Sequence, residues 1–506
     1  MKTDPESTRR CGSGAVPPSG ERGAAGGVFD GGVRLAVLWV VMVLGSGCAG
    51  YTANVEDAKR NVIYGQTDKA VGKLNEALGT EERHQVPTKL TGENTLILLE
   101  RATLLQAMGE YKLAARDMMI ADQQLDWLDI GAQGKAKVGK YLFSGSAVKY
   151  RAPPYERLLL NTMNMINFLA LGDYEEAKVE ARRFTIIEQF FVEDESKTLL
   201  PGSLGFGNYL GGVAFEAAGD YRKAARYYTK AWKYGVRTGR FEDRLVNLCR
   251  MVAYKPTEII EDKNGELARL DREVSNGEAL SFDAYRQRFV DGEVLVVVQT
   301  GLVPYKKAKR YPIYRALDYA EAHTWGAIAL AANTRSKARE LAVSGALKYV
   351  NFPVLTEDGL PSKRSVKVET SGGLVQEHLG INVSRQVEHA WDRISGPLMV
   401  AAITRMITRA VAGAAAREGV KAASSDSGVG SLLGSLAQVA VEGGMAAADT
   451  PDTRSWSLLP ARMQFSRVNL SPGQHSLKVQ VNSRTYEESV EVKAGGPVLL
   501  NFSKHR

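Results

Sequence analysis

The sequence predicts an α+β protein: a solenoid of helical hairpins in the N-terminal half, then a mixed domain with an antiparallel β-sheet and inserted helices. Three observations predict it. Four segments between residues 65 and 231 each begin with Gly, place Ala five residues later, and then carry an apolar stripe of helical period. A short apolar run, Val294-Leu-Val-Val-Val298, bounded by Gly292 and Gly301, reads as a buried strand. From residue 463 to the end, apolar and polar residues alternate with period two.

Composition is that of a globular chain, with 44% hydrophobic and 24% charged residues over 506 positions, room for two or three domains. Lys plus Arg exceed Asp plus Glu by 65 to 57, a net charge of +8 that is too dilute to imply nucleic acid. No apolar run reaches the roughly 18–20 residues of a spanning helix, which excludes a polytopic membrane protein.

The N-terminus predicts a location. Residues 1–32 are rich in Gly, Pro, Ser and charge and read as a disordered leader. After Arg34, Leu35–Leu44 form an apolar stretch of ten, too short to span but suited to the core of a secretory signal. It ends in Leu44-Gly-Ser-Gly-Cys48-Ala-Gly50, small residues ahead of a cysteine. This resembles a lipobox, except that Gly45 stands where Leu is usual and Leu44 lies one place further out. Residues 1–47 are therefore expected to be removed and Cys48 to carry lipid. A translation start at Val33 would leave a compact signal. Ala49 and Gly50 after the cysteine, rather than Asp, point to the periplasmic face of the outer membrane. With Cys11 removed and Cys48 lipidated, Cys249 alone remains; its apolar context predicts a buried core residue, not a nucleophile.

Residues 48–255 carry the repeats. The segments are Gly65-Gln-Thr-Asp-Lys-Ala70, Gly109-Glu-Tyr111-Lys-Leu-Ala114, Gly172-Asp-Tyr174-Glu-Glu-Ala177 and Gly219-Asp-Tyr221-Arg-Lys-Ala224. Gly ends one helix, the next starts two or three residues on, and the small Ala lets the paired helix approach closely. Apolar residues recur four and seven places after each Ala, and apolar helices precede the later glycines over 96–108, 158–171 and 205–218. These segments resemble the tetratricopeptide repeat, although the alanines are 44, 63 and 47 residues apart rather than regularly spaced. An unrelated helical bundle with Gly-Asp-Tyr turns is the alternative. Such units must stack to bury their faces, and the concave side of a solenoid normally binds protein segments.

A longer resemblance rests on Tyr155-Glu-Arg-Leu-Leu-Leu-Asn161, Val179-Glu-Ala-Arg-Arg183, Gly292–Val298 and Asp452-Thr-Arg-Ser-Trp456 with Leu459-Pro460. Over most of 48–503 the chain is similar to an uncharacterised family of bacterial envelope lipoproteins with tetratricopeptide-like N-terminal halves. What the resemblance implies is an envelope location; the family brings no activity to assign.

The second half begins at 256. Residues 257–290 read as helical, Lys306–Arg310 as a charged turn, 315–346 as helical, and Val350–Val354 and Ser365–Glu369 as strands. Residues 384–448 read as an Ala/Gly-rich helical hairpin hinged at 424–431, with an apolar stripe of Val400, Ile403, Ile407, Val411 and Ala414 and with Arg405 and Arg409 off it. It either packs on the domain or lies on a membrane surface. Residues 449–506 predict a four-strand antiparallel meander, with turns at 471–473, 482–483 and 495–497, that joins the strands near 294–298 and 350–369 to complete one sheet.

Chemistry is sparse. Gly134–Lys140 matches seven positions of a phosphate-binding loop, but Tyr141 stands where a Mg²⁺-ligating hydroxyl belongs. The six histidines show no zinc spacing, and Ser427 and Ser431 no nucleophile elbow. The sequence therefore predicts no enzyme, cofactor or metal, but a lipid-anchored periplasmic scaffold that binds envelope proteins through its helical-repeat surface. A structural subunit that oligomerises through its C-terminal half, or a cell-wall enzyme, are the alternatives.

Overall fold

The computed structural model describes residues 49–90, 93–127, 150–192, 200–260, 265–324, 331–356, 366–370, 373–375, 378–423 and 451–504, all within one compact unit. Cys48, the phosphate-loop-like 134–141 segment, the 424–431 hinge and the second helix up to 448 lie outside the described residues.

The N-terminal half is a run of helical hairpins. α1 (Ala49–Ile63) pairs with α2 (Thr67–Leu78), α3 (Asn94–Ala107) with α4 (Tyr111–Gln124), α5 (Pro154–Leu171) with α6 (Tyr174–Val192), and α7 (Pro201–Ala217) with α8 (Tyr221–Lys233). Each hairpin turns on a glycine in left-handed backbone: Gly65, Gly109, Gly172 and Gly219 have φ of 74°, 81°, 71° and 78°. The next amide closes back on the first helix, as Asp173 N–H on Phe168 O (2.9 Å) and Asp220 N–H on Phe215 O (2.8 Å). Asp220 then caps α8 by accepting from Lys223 N–H at 3.2 Å. Two further short strands, β1 (Asp126–Trp127) and β2 (Arg151–Ala152), pair in parallel between the second and third hairpins.

α7 is thin, and that sets how closely its neighbours sit. A Cβ on Gly207 would fall 2.1 Å from the Phe184 ring of α6, and one on Gly212 would fall 2.3 Å from the Tyr228 ring of α8. Glycine backbone thus serves as a flat bed for aromatic rings. α9 (Phe241–Met251), α10 (Pro256–Ile259), α11 (Glu266–Ser275) and α12 (Phe282–Phe289) continue the helical layer.

Two four-stranded sheets follow. The first runs β12 (Val498–Lys504), β3 (Glu293–Thr300), β9 (Arg462–Asn469), β8 (His378–Asn382); the second runs β11 (Arg484–Val492), β10 (Gly473–Val481), β6 (Val366–Thr370), β7 (Gly373–Val375). They pack face to face. Val294, Val296 and Val298 of β3 meet Val366, Val368, Leu477, Val479 and Val490, while Leu295 and Val297 point the other way into the helical layer. All eight residues of β3 are buried. The order of layers is therefore hairpins, first sheet, second sheet.

A smaller lobe holds a two-stranded ribbon, β4 (Lys306–Pro312) with β5 (Tyr349–Leu355), packed on α13 (Ile313–His323), α14 (Ala332–Val343) and the long α15 (Val383–Ala423).

Four expectations need correction. The C-terminal strands are not a meander: β10 and β11 form a hairpin in the second sheet, while β9 and β12 flank β3 in the first, β12 in parallel. A strand buried on both faces needs two neighbours, and alternation alone does not say which sheet a strand joins. Val350–Val354 does not join this sandwich, because β5 pairs with β4 in the ribbon. Lys306–Arg310 is a strand rather than a turn, and Lys307, Lys309 and Arg310 are exposed along it. The α15 helix packs in the small lobe through Trp391, Leu398, Met399, Ala402 and Ile403, with Val400 and Ile407 of the anticipated stripe packed beside them, but Val411 of that stripe is exposed. Among the described residues, Val383–Ala412 is long and apolar enough to cross a membrane, but 44% of its most apolar window is buried inside the protein.

Candidate functional site

The first helices of the hairpins present a polar inner face. α3 contributes Glu100, Thr103 and Gln106, and the first turn of α5 contributes Glu156, all nearly or completely buried. Such groups require partners. The partner is an irregular stretch of the same chain, Asp452–Leu459, held between this face and the first sheet. Glu100 Oε1 accepts from the Ser457 N–H (2.7 Å), the Ser457 hydroxyl (2.9 Å) and the Tyr51 hydroxyl (2.9 Å), and its Oε2 accepts from Leu458 N–H at 2.8 Å. Glu156 Oε1 accepts from Trp456 N–H at 3.2 Å, and both its oxygens accept from the Tyr150 hydroxyl. The Trp456 indole is 1% exposed and donates to Thr103 Oγ1 at 2.8 Å. The segment leaves through Leu459, whose carbonyl accepts from Val303 N–H. At its entrance Arg454 pairs with Asp452 at 2.9 Å and lies over the Tyr150 ring.

The groove is filled by a segment of the same chain. Carboxylates take backbone N–H groups, and a pocket takes one aromatic side chain. Burial pushes the Glu100 carboxyl up although the Ser457 and Leu458 amides pull it down. Burial likewise raises Glu156, to about 7, against the Tyr150 and Trp456 donors.

A second buried cluster joins helices to sheet. Glu216 of α7 and Glu293 of β3 alternate with Arg244 of α9 and Arg467 of β9. Arg244 reaches Glu216 at 2.8 Å and also Glu293; Arg467 reaches Glu216 at 2.7 Å and Glu293 at 2.6 Å. The Tyr228 and Tyr285 hydroxyls also donate to Glu216. Burial alone would raise Glu216, but the two guanidinium groups and the hydroxyls hold it at about 2. Every charge has an opposite neighbour, although burial still raises the Glu293 carboxyl.

The outer, second helices leave a cleft of about 390 Å³ lined by Thr185 and Gln189 of α6, Lys223, Arg226, Tyr227 and Lys230 of α8, and Tyr254 and Glu258 beyond α9. Arg226 donates to the Tyr254 hydroxyl at 3.1 Å, and Lys230 pairs with Glu188 at 2.8 Å. Another cleft, in the small lobe, brings together His323, His389, Asp392 and Arg393. Among the described residues no group of three His, Cys, Asp or Glu is placed to hold a metal ion.

The residues singled out in the repeats fall at two places. Ala70, Ala114, Ala177 and Ala224 are completely buried on the second helix of each hairpin. The tyrosines face the C-terminal half: Tyr111 lies by Asn501, Tyr174 donates to Pro497 O at 3.2 Å, and Tyr221 packs edge-on to Phe282 and Tyr285. A Cβ on Gly496 would fall 2.5 Å from the Tyr174 hydroxyl, so glycine there lets β12 approach. The Cys249 thiol is buried and pushed up to about 12, far from a thiolate. Sequence reasoning gave no role to Glu100, Glu156, Glu216 or Glu293, although Glu156 and Glu293 stand in the segments that carry the longer resemblance.

No protein-family description matches the chain, and no curated protein matches it in sequence. Among solved structures, one titled "MamA RS-1 ArsTM double mutant" is similar over 46% of this chain and 96% of its own, at 11% identity and a TM-score of 0.27, too loose a likeness to carry an argument.

Proposed function

We propose that the chain is a non-enzymatic scaffold, anchored by lipid on Cys48 to the periplasmic face of the bacterial outer membrane, that binds envelope proteins through the outer surface of tetratricopeptide-like hairpins. One observation carries the choice of surface. The inner groove already holds Asp452–Leu459, whereas the cleft between α6 and α8 is open and offers cations, tyrosines and hydrogen-bonding side chains. Rigidity supports the role: the Glu216–Arg244–Glu293–Arg467 cluster fixes the hairpins to the sheet, so the outer face is presented without ordering cost.

Two measurements test the parts separately. Palmitate labelling should tag the wild type and not Cys48→Ala; equal labelling removes the anchor. A photo-crosslinking residue at Arg226 should trap a discrete protein in intact cells, while one at Thr103 should trap none. Crosslinks from Thr103 alone would move the binding surface to the groove and require displacement of Trp456.

A further inference from the structure

We propose that the β4–β5 ribbon of the small lobe docks onto an anionic phospholipid surface. Residues 306–315 and 346–355 carry six cations and no carboxylate: Lys306, Lys307, Lys309, Arg310, Arg315 and Lys348. Lys306 lies toward Asp452 and Glu156; along β4 the register puts Lys307 and Lys309 on the face of Val354 and Phe352 and Arg310 on the face of Asn351 and Tyr349, so cations project from both faces of this strand. Among the described residues the ribbon has two strands, so β4 is an edge, and Lys307, Lys309 and Arg310 are exposed along it.

Charge on an edge strand is by itself a guard against strand pairing. What that role does not need is apolar surface beside the charge. Here Val343 is 82% exposed, Tyr314 52% and Tyr349 49%. They are gathered at one end of the ribbon. Tyr349 pairs across from Pro312, two residues before Tyr314, and the Arg310 guanidinium lies 5.5 Å from the Tyr349 ring. Ile313 N–H bonds Lys348 O, and Val343 closes α14 just before the Gly345 turn that leads into Lys348 and Tyr349.

Cations flanking exposed rings fit the boundary between headgroups and acyl chains, where an amphipathic ring sits half in each and each cation gains from anionic lipid. A nucleic acid would use the cations and the rings but would leave Val343 in water. This surface is built by the chain's own residues and stands whether or not Cys48 carries lipid.

The test uses the full chain with Cys48→Ala, so that no acyl chain contributes, and phosphatidylcholine vesicles with and without phosphatidylglycerol. Binding should require phosphatidylglycerol and weaken with salt. Lys307→Glu/Lys309→Glu/Arg310→Glu should reduce it by about 100-fold. Arg315→Glu/Lys348→Glu, away from β4, should reduce it by about tenfold and guards against misfolding of the first variant. Tyr314→Ser/Tyr349→Ser should weaken binding while leaving its salt dependence. The N-terminal apolar segment is common to all the proteins, so the differences read the ribbon. Equal binding by wild type and both charge-reversal variants would overturn the proposal, as would a single-stranded oligonucleotide that displaces the protein fully from the vesicles.

Discussion

The Trp456 indole N–H and the Thr103 hydroxyl lie 2.8 Å apart, joining residues separated by 353 positions. The contact makes a loop from the C-terminal half part of the core of the helical half. The hairpins and the sheets are consequently not separable bodies in the way that a change of composition at residue 256 implies.

Trp456→Ala should lower unfolding stability by about 3–5 kcal/mol, the range for emptying a well-packed aromatic site. Trp456→Phe keeps most of the volume but removes the indole donor, and should cost about 1–2 kcal/mol. Urea midpoints give both values. Hydrogen exchange should show α3 amides opening sooner in the alanine variant; protection unchanged in α3 would mean that the loop merely covers the hairpins.

What was legible in the sequence was local. Gly65, Gly109, Gly172 and Gly219 require left-handed backbone, and a helix stop followed by an Asp cap is readable within six residues. The parity of Leu477, Val479 and Val481 was equally plain, and their common face is buried. The partner of that face was not. Val498, Leu500 and Phe502 keep the same parity as Tyr486, Val490 and Val492 of β11, yet β12 pairs with β3 in the opposite sheet. Pairing choice is a non-local energy and leaves no mark on period. The groove was hidden for a similar reason, since Asp452–Leu459 is coil without periodicity and is held by carboxylates 300 and 357 residues away.

The four-charge cluster predicts an asymmetry. Arg467→Met leaves Glu216 and Glu293 facing Arg244 alone, and should cost about 3–5 kcal/mol because a buried carboxylate loses its partner. Combining Arg467→Met with Glu293→Gln removes one charge of each sign and should recover a large part of that loss. Chemical denaturation of the two variants decides it; an additive double variant would show that the four groups do not act as a unit.

Glycines in the helices should divide by their surroundings. Gly212→Ala places a Cβ 2.3 Å from the Tyr228 ring, whose hydroxyl is tied to Glu216, so the ring cannot yield freely. The expected cost is about 1–3 kcal/mol. Gly72, inside α2, has no atom within 4 Å of a built Cβ, and Gly72→Ala should stabilise by up to about 1 kcal/mol. Ala224→Leu, at a completely buried position, should destabilise by about 1–3 kcal/mol.

Stability should also depend on pH with opposite signs at two carboxylates. Glu156 titrates at about 7 in the folded chain against 4.5 ordinarily, so between those values the folded state holds a proton that the unfolded state has lost. Stability then falls as pH rises from about 4.5 to 7 and stays level above, a loss on the order of 3 kcal/mol. Glu100 is raised as well and adds to the fall. Glu216 behaves oppositely: held at about 2, it stabilises above 4.5, and that stability disappears as pH drops toward 2. Glu156→Gln keeps an acceptor for Trp456 N–H and a group for the Tyr150 hydroxyl. It should therefore lessen the fall between pH 4.5 and 7 and leave the variant more stable than wild type at pH 8. Comparing the two proteins isolates Glu156, because the histidines and Glu100 are common to both. Parallel stability curves across this range would show that Glu156 is ionised in the groove and that Trp456 N–H is bonded to a carboxylate throughout.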